Sequence, residues 1–389
     1  MRIRLAVAVA VALTVCAACS STNGGHQHST ATPGPNDATV ASMLALLPDN
    51  ATTTGSPVVV NLYWKAARAG RVTIPAATAD ESALSKYVGR LNDNDVAVAA
   101  STLTQQINEY GAQTEKQTGF NAADLAADTE VQAAPNSYLA VRGHFDRKAA
   151  DAGLRADPHW KSVLKTPKYH GTTVYSWLKD NAVDMSNVHT GLFTDIGQSR
   201  RFAFPNDSTF LYGKSDGVIH DLLDATGGDT NTLDAAKDYR AAAAALDGQN
   251  VYSAQFIRPP SIADYLETLR HRSPPPPASV ITAIRTQLSK HALAPYQLAA
   301  IGVTIKNGKP TIVVAVVNAD NKAAQANASR LRDVVGAGSS PQTNTAWSTS
   351  FSVRQTTVSG AVTVGLLEPR SGSAAAWRQL PNDSLLLHS

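Results

Sequence analysis

The sequence predicts an α+β fold: two tandem related modules with antiparallel sheets and packed helices, preceded by an N-terminal α/β segment. Three observations carry that expectation. The runs Ala299 to Lys306 and Pro310 to Val317 are strand-like and joined by Asn307-Gly308, a pair that tolerates the positive φ of a two-residue hairpin turn. A helical stretch follows from about Lys322 to Val335, closed by Gly336 and Gly338. Finally, short motifs recur. Asp146-Arg147-Lys148-Ala149-Ala150 returns as Asp320-Asn321-Lys322-Ala323-Ala324, and Pro205-Asn206-Asp207-Ser208 as Pro381-Asn382-Asp383-Ser384, at offsets of 174 and 176. Two matches at nearly one offset are what a duplicated module leaves behind.

The second copy reads as β-β-α-β-β. Trp347 to Gln355 and Val358 to Leu367 alternate polar and apolar residues as half-buried strands do, and Leu385 to Leu387 is expected as a closing strand. The first copy, at about 135–235, is an elaborated version. Its expected strands are Tyr138 to Gly143, Thr172 to Leu178, Arg201 to Phe204 and Thr209 to Tyr212. Helical material runs from Arg147 to Leu164, broken at Pro158, and again from Val218 to Ala225. Ahead of it, Pro57 to Leu62 and Val96 to Ala100 read as strands and Glu81 to Leu91 as a helix. Pro274 to Pro277 removes four consecutive amide donors, so it cannot be helix interior or central strand. It is expected to divide an N-terminal α+β domain (40–272) from a C-terminal module (281–389), with 273–280 as linker.

The N-terminus carries the clearest chemistry. Arg2 and Arg4, the apolar Leu5 to Val15 and the small-residue exit Cys16-Ala17-Ala18-Cys19 form an export signal over 1–18. The run is shorter than the roughly 20 apolar residues a permanent span needs. Val15 to Cys19 resembles the lipobox of bacterial lipoproteins, in which a small residue precedes a cysteine that is diacylated and then becomes the N-terminus through signal peptidase II. Ala18 and Cys19 fit that pattern, whereas Cys16 stands where the family usually has an aliphatic residue. The resemblance implies lipidation of Cys19 and a place on the extracytoplasmic face of the cell membrane. The alternative is plain secretion, with cleavage near Ala17 or Ala18 and a free Cys19. Residues 20–39 lack apolar periodicity and read as a flexible tether with a reach of roughly 25 Å.

Composition excludes several classes. The net charge is only +3, two units of it from Arg2 and Arg4, so neither a nucleic-acid footprint nor an acidic tail is present. With two cysteines in all, and Cys16 lost with the signal, neither internal disulfides nor a cysteine zinc site is expected. No cofactor is implied. His26-Gln27-His28 in the tether, His144 with Asp146, and Asp157 with His159 are pairs that fall short of the three or four fixed ligands a metal needs. Trp160, Tyr169, Tyr175 and Trp177 read as core or half-buried sheet residues, with an apolar pocket as the alternative.

Gly213-Lys214-Ser215-Asp216-Gly217 matches the G-x-S-x-G elbow of serine hydrolases, with His291 or His388 as base and Asp224 or Asp264 as orienter. The strands around it read as antiparallel and hairpin-joined, without the βα units of a hydrolase sheet, so the expected role of Ser215 or Asp216 is that of a helix cap. The segments Leu47-Pro48-Asp49-Asn50, Gly119 to Leu125, Gly143 to Asp146 and Tyr169 to Trp177 resemble a group of uncharacterised lipoproteins from actinobacteria and related bacteria. That resemblance implies an architecture and no catalytic residue. The leading functional expectation is a membrane-anchored binding or envelope-assembly module, with an envelope protein or lipid as ligand. A hydrolase acting through Ser215 and a lipid or glycolipid carrier with a cavity between the copies are the alternatives.

Overall fold

A computed structural model describes residues 35–133, 136–188, 197–271, 273–340, 345–382 and 387–389. The export signal, Cys19 and the tether histidines lie outside the described residues. The rest, from residue 34 onward, is one compact unit of class α+β.

In the first half, α1 (Val40–Leu44) and α2 (Ala51–Gly55) lead to β1 (Val58–Leu62), then α3 (Tyr63–Ala69), α4 (Glu81–Asn92), α5 (Thr102–Thr118), β2 (Leu125–Val131) and β3 (Tyr138–Gly143). α6 (Arg147–Ala156), β4 (Lys168–Tyr169), β5 (Thr172–Trp177), β6 (Arg200–Asn206) and β7 (Thr209–Gly213) complete it. The second half runs α7 (Asp216–Gly227), α8 (Lys237–Asp247), β8 (Ser253–Ile257), α9 (Ile262–Arg270), α10 (Ala278–Lys290), β9 (Leu298–Lys306), β10 (Lys309–Val317), α11 (Asn321–Ala337), α12 (Trp347–Ser350), β11 (Phe351–Ser359), β12 (Val362–Pro369) and α13 (Gln379–Asn382).

The twelve strands among the described residues form a single sheet, ordered β11-β12-β10-β9-β8-β1-β2-β3-β7-β6-β5-β4, and every neighbouring pair is antiparallel. Outward from the centre, β8-β9-β10-β12-β11 repeats the order β1-β2-β3-β7-β6. The duplication is therefore visible as topology. The two halves do not build separate sheets on either side of the proline stretch; β1 and β8 meet edge to edge, Val58 opposite Phe256 and Asn61 opposite Ser253. Pro277 stands at the N-cap of α10, and β8 and β9 on either side of that stretch are direct neighbours.

The Asp-x-Lys-Ala-Ala copies occupy equivalent places. Asp146 accepts from the amides of Lys148 and Ala149 to cap α6, and Asp320 accepts from Ala323 to cap α11, each helix leaving the third strand of its half. Capping at this position contributes about 1 kcal/mol. The Pro-Asn-Asp-Ser copies do not correspond. Asn206 to Thr209 is the β6–β7 turn, whose topological counterpart is the β11–β12 turn around Gly360, whereas Pro381 and Asn382 end α13. Residues 383–386 lie outside the described residues and Leu387 is a buried turn residue, so no closing strand is described there.

Alternation along the strands feeds two cores. Val59, Leu139, Val141, Ile301 and Val314 face α3 to α6 and α11, while Val58, Val60, Leu62, Phe256 and Val313 face α1, α7 and α8. Burial on both faces explains the apolar run Val58 to Val60 in β1, each fully buried aliphatic contributing about 1.5–3 kcal/mol. Val96 to Ala100, expected as a strand, is an irregular segment that is buried up to Ala99 and has Ala97 at φ 54°. The chain's end fastens it. Trp377 Nε1 donates to the Ala97 carbonyl at 2.6 Å, and Arg378 Nη2 to that of Val98 at 2.5 Å. No helix among the described residues is long and apolar enough to cross a membrane.

Candidate functional site

Ser215 takes the capping role. It precedes α7, is 8% exposed, and its Oγ accepts from the amide of Val218 at 3.4 Å. The strand before it, β7, lies between antiparallel β3 and β6, not in the parallel sheet that a nucleophile elbow tops. The expected partners are engaged elsewhere. His291 Nδ1 lies 2.9 Å from Asp333 Oδ2, and His388 Nε2 lies 2.7 Å from the Leu288 carbonyl. Asp224 accepts from the Tyr169 hydroxyl, and Asp264 is exposed on α9. The geometry does not bring the expected triad together.

The aromatic residues divide. Trp160 and Trp177 pack against one another at 4.6 Å inside the core, and Tyr175 stacks on Phe202 at 5.3 Å within a cluster that includes Phe120, Phe145, Phe204 and Phe210. Tyr175 and Phe145 of this cluster also reach a groove. Asp157 belongs to a turn, its carboxylate accepting from the His159 amide and from Gln117 Nε2.

The groove lies at the outer part of the first half, with a volume of about 980 Å³. Its floor is the segment from His144 to Asp146, and backbone bonds fix that segment on two sides. The His144 amide donates to the Asp124 carbonyl at 2.9 Å, and the Phe145 amide to that of Asp207 at 2.8 Å. One wall is the start of α6, with Arg147, Lys148 and Asp151; the other is β5, with Thr173 and Tyr175. Gly119 ends α5 at φ 72°, and a Cβ there would sit 2.8 Å from that of Ala149, so glycine lets α5 turn off against α6 at the groove's edge.

Two ion pairs order the walls. Arg147 Nε meets Asp207 Oδ1 at 2.5 Å across the groove, and Arg155 Nε meets both oxygens of Asp151 at 3.0 and 2.9 Å. The Tyr175 hydroxyl also donates to Asp151, at 2.9 Å. Arg155 chiefly holds the Asp151 carboxyl below the usual carboxylate range, helped by Tyr175. Burial pushes the Tyr175 hydroxyl up to about 12, so it stays a donor at neutral pH. Burial likewise raises Asp124, against the lowering effect of the Asn121 amide and of His144. His144 and Asp146, singled out in the sequence, both line the groove, but the Asp146 carboxylate is spent on the helix cap. Nothing in the sequence marks Asp207 or Tyr175 as neighbours of Arg147; the antiparallel pairing of β5, β6 and β7 creates that proximity.

Polar groups on the same half also reach the sheet's interior. Asp128 of β2 is fully buried, accepting from Asn61 Nδ2 at 2.9 Å, the Tyr63 hydroxyl at 2.5 Å and Ser101 Oγ at 2.6 Å. Glu130, two residues along, accepts from both the amide and the hydroxyl of Thr102. Burial raises both carboxyls, Asp128 to about 6. These acids secure the start of α5 over the sheet and are out of reach of a ligand.

No family model matches the chain, and no curated protein matches it. Among solved structures it is similar to two described as "Structure of crystal form III of TP0453" and "Structure of crystal form I of TP0453". Each is 9% identical with a TM-score of 0.38; the first match covers 88% of this chain and 97% of that one, the second 87% and 98%.

Proposed function

We propose that the protein is an extracytoplasmic lipoprotein, held to the cell membrane by acyl chains on Cys19, whose body is a binding module with the first-half groove as its ligand site. The groove carries this reading. Its walls offer carboxylate acceptors at Asp207 and Asp124 and donors at Arg147, Lys148, His144 and Tyr175, beside the apolar ring of Phe145. Such a lining suits a polar, hydroxyl-rich ligand such as an envelope glycan, whose hydroxyls both donate and accept. The Arg147–Asp207 pair, exposed on both sides, opens at small cost to receive it. This reading is preferred to a lipid carrier because β1 and β8 are directly hydrogen-bonded neighbours where the halves meet, with buried apolar residues on both faces.

The test joins the two parts of the proposal. Soluble cell-wall glycan fragments titrated into the protein should release heat, and Arg147→Ala with Asp207→Ala should abolish the signal without lowering the thermal midpoint by more than a few degrees. Cys19→Ser should move the protein from the membrane fraction to the soluble one or leave it unprocessed. Unchanged titration in the double variant removes the groove; a Cys19→Ser chain that remains membrane-bound at mature size removes the anchor.

A further inference from the structure

A second polar cluster lies at the other end of the β4–β5 hairpin. Tyr169 pairs with Thr172, so His170 and Gly171 form a two-residue turn with φ of 47° and 80°, and His170 projects from its tip. It meets the C-terminal end of α7. There Gly228, at φ 84°, reverses the chain, and the amide of Asp229 donates to the Asp224 carbonyl at 2.8 Å, so both aspartates come to one side. His170 Nε2 is 3.7 Å from Asp224 Oδ1, and Nδ1 is 3.8 Å from Asp229 Oδ2.

We propose that His170, Asp224 and Asp229 form a binding site for a divalent transition metal, with zinc as the best match. One ligand atom from each residue lies within 4.8 Å of the other two. Adjacent ligands of a tetrahedral zinc lie about 3.3 Å apart, so the exposed His170 and Asp229 side chains close the gap by turning inward. The set of one imidazole and two carboxylates, with a fourth position open to water, is a zinc-type donor set. Calcium and magnesium favour oxygen alone.

Two features of the surroundings point to a cation. Asp224 Oδ1 is out of reach of solvent and accepts no hydrogen bond, although it faces His170; an acceptor left in that state is costly, and a metal ion would satisfy it. The other oxygen, Oδ2, is held by the Tyr169 hydroxyl at 3.2 Å, with the Tyr169 ring stacked on His220 at 3.8 Å, so the carboxylate is fixed in orientation. The electrostatics agree. Both carboxylates sit at the negative end of the α7 dipole, where a cation is favoured, and the last turn of α7 holds no basic residue. Neighbouring Asp221 is engaged by Tyr138 and Asn50. Among the described residues neither Asp224 nor Asp229 pairs with a lysine or arginine; His170 is the ion-pair partner of both.

The site is independent of whether the groove takes a ligand. Zinc chloride titrated calorimetrically into the full chain should bind one ion per chain and raise the thermal midpoint. His170→Gly, which keeps the turn's positive φ, and Asp229→Asn should each weaken binding by about tenfold or more. Without metal, both variants should melt like the wild type. His26→Ser with His28→Ser controls for the tether and should leave the binding unchanged. Cobalt in place of zinc should give visible absorption bands of a tetrahedral site, lost in His170→Gly. Binding that survives His170→Gly, binding that disappears with the tether histidines, or no binding by the wild type would each overturn the proposal.

Discussion

The two halves share one strand order and use it differently. On the face packed against α3 to α6 and α11, β2 carries Asp128 and Glu130, whereas its counterpart β9 carries Ala299, Ile301 and Val303 on that same face. At the outer edge, β6 is covered by the β5–β4 extension, and its counterpart β11 is open. The second half is the plain version of the module; the first has gained buried acids, an extra hairpin and the groove, and the tip of that hairpin, His170, meets the end of α7. Polar specialisation on one copy, with the other holding the common sheet, is how a duplicated body can acquire a site while keeping its stability.

The largest test concerns whether the halves are separable at all. Phe256 is fully buried beside the β1–β8 junction, and Phe256→Ala should cost about 3–5 kcal/mol. If the sheet is one cooperative unit, guanidinium unfolding should move as a single transition, seen alike by tryptophans of the two halves. Two midpoints, with Trp177 and Trp347 reporting separately, would break the view of a shared sheet.

The second test isolates the buried acids. The folded carboxyl of Asp128 lies near 6, above an ordinary value of 3.8, because burial disfavours its charge. The folded state therefore binds more protons than the unfolded one between about pH 4 and pH 6, so stability falls as pH rises through that window, by on the order of 3 kcal/mol from this group. Asp128→Asn should flatten that slope. An identical slope in the variant would assign the dependence to other groups.

The smallest effect concerns the open edge. β11 is nine residues long and carries a bulge between Val353 and Gln355, with Arg354 at the bulge 3.8 Å from Glu368. Bulges and charges are the usual means of blunting an exposed edge. Arg354→Val should change folding stability by less than about 0.5 kcal/mol yet promote self-association in sedimentation velocity. A variant as monomeric as the parent would show that the bulge alone suffices.

What the sequence revealed follows the range of the interactions involved. Helix caps at Asp146 and Asp320, the Asn307-Gly308 turn with φ of 53° and 75°, and the helices α4 and α11 are local, and their residues announce them. β2 was not legible, since Asp128 and Glu130 occupy positions where a strand buried on both faces is expected to be apolar. The second Pro-Asn-Asp-Ser misled because a turn tetrapeptide is short and serves many contexts. Trp347 to Ser350 is a helical turn, and β11 begins only at Phe351; the Gly360 turn falls inside the expected strand Val358 to Leu367 because polar and apolar residues alternate on both sides of it. The groove and the His170 cluster were least legible, because Arg147 with Asp207, and His170 with Asp224, meet only through the pairing of distant strands and the packing of α7.

The fastening of the Asn94 to Ala99 stretch by the last residues of the chain has a consequence for the order of events at synthesis. Ser373 Oγ donates to the Asn94 carbonyl, and Trp377 and Arg378 to those of Ala97 and Val98, some 280 positions earlier in the chain. A nascent chain cannot make these bonds until Trp377 and Arg378 have been synthesised. A chain cut short of Ser373 leaves the Asn94 to Val98 stretch without three of its fastenings, although every residue of that stretch is present.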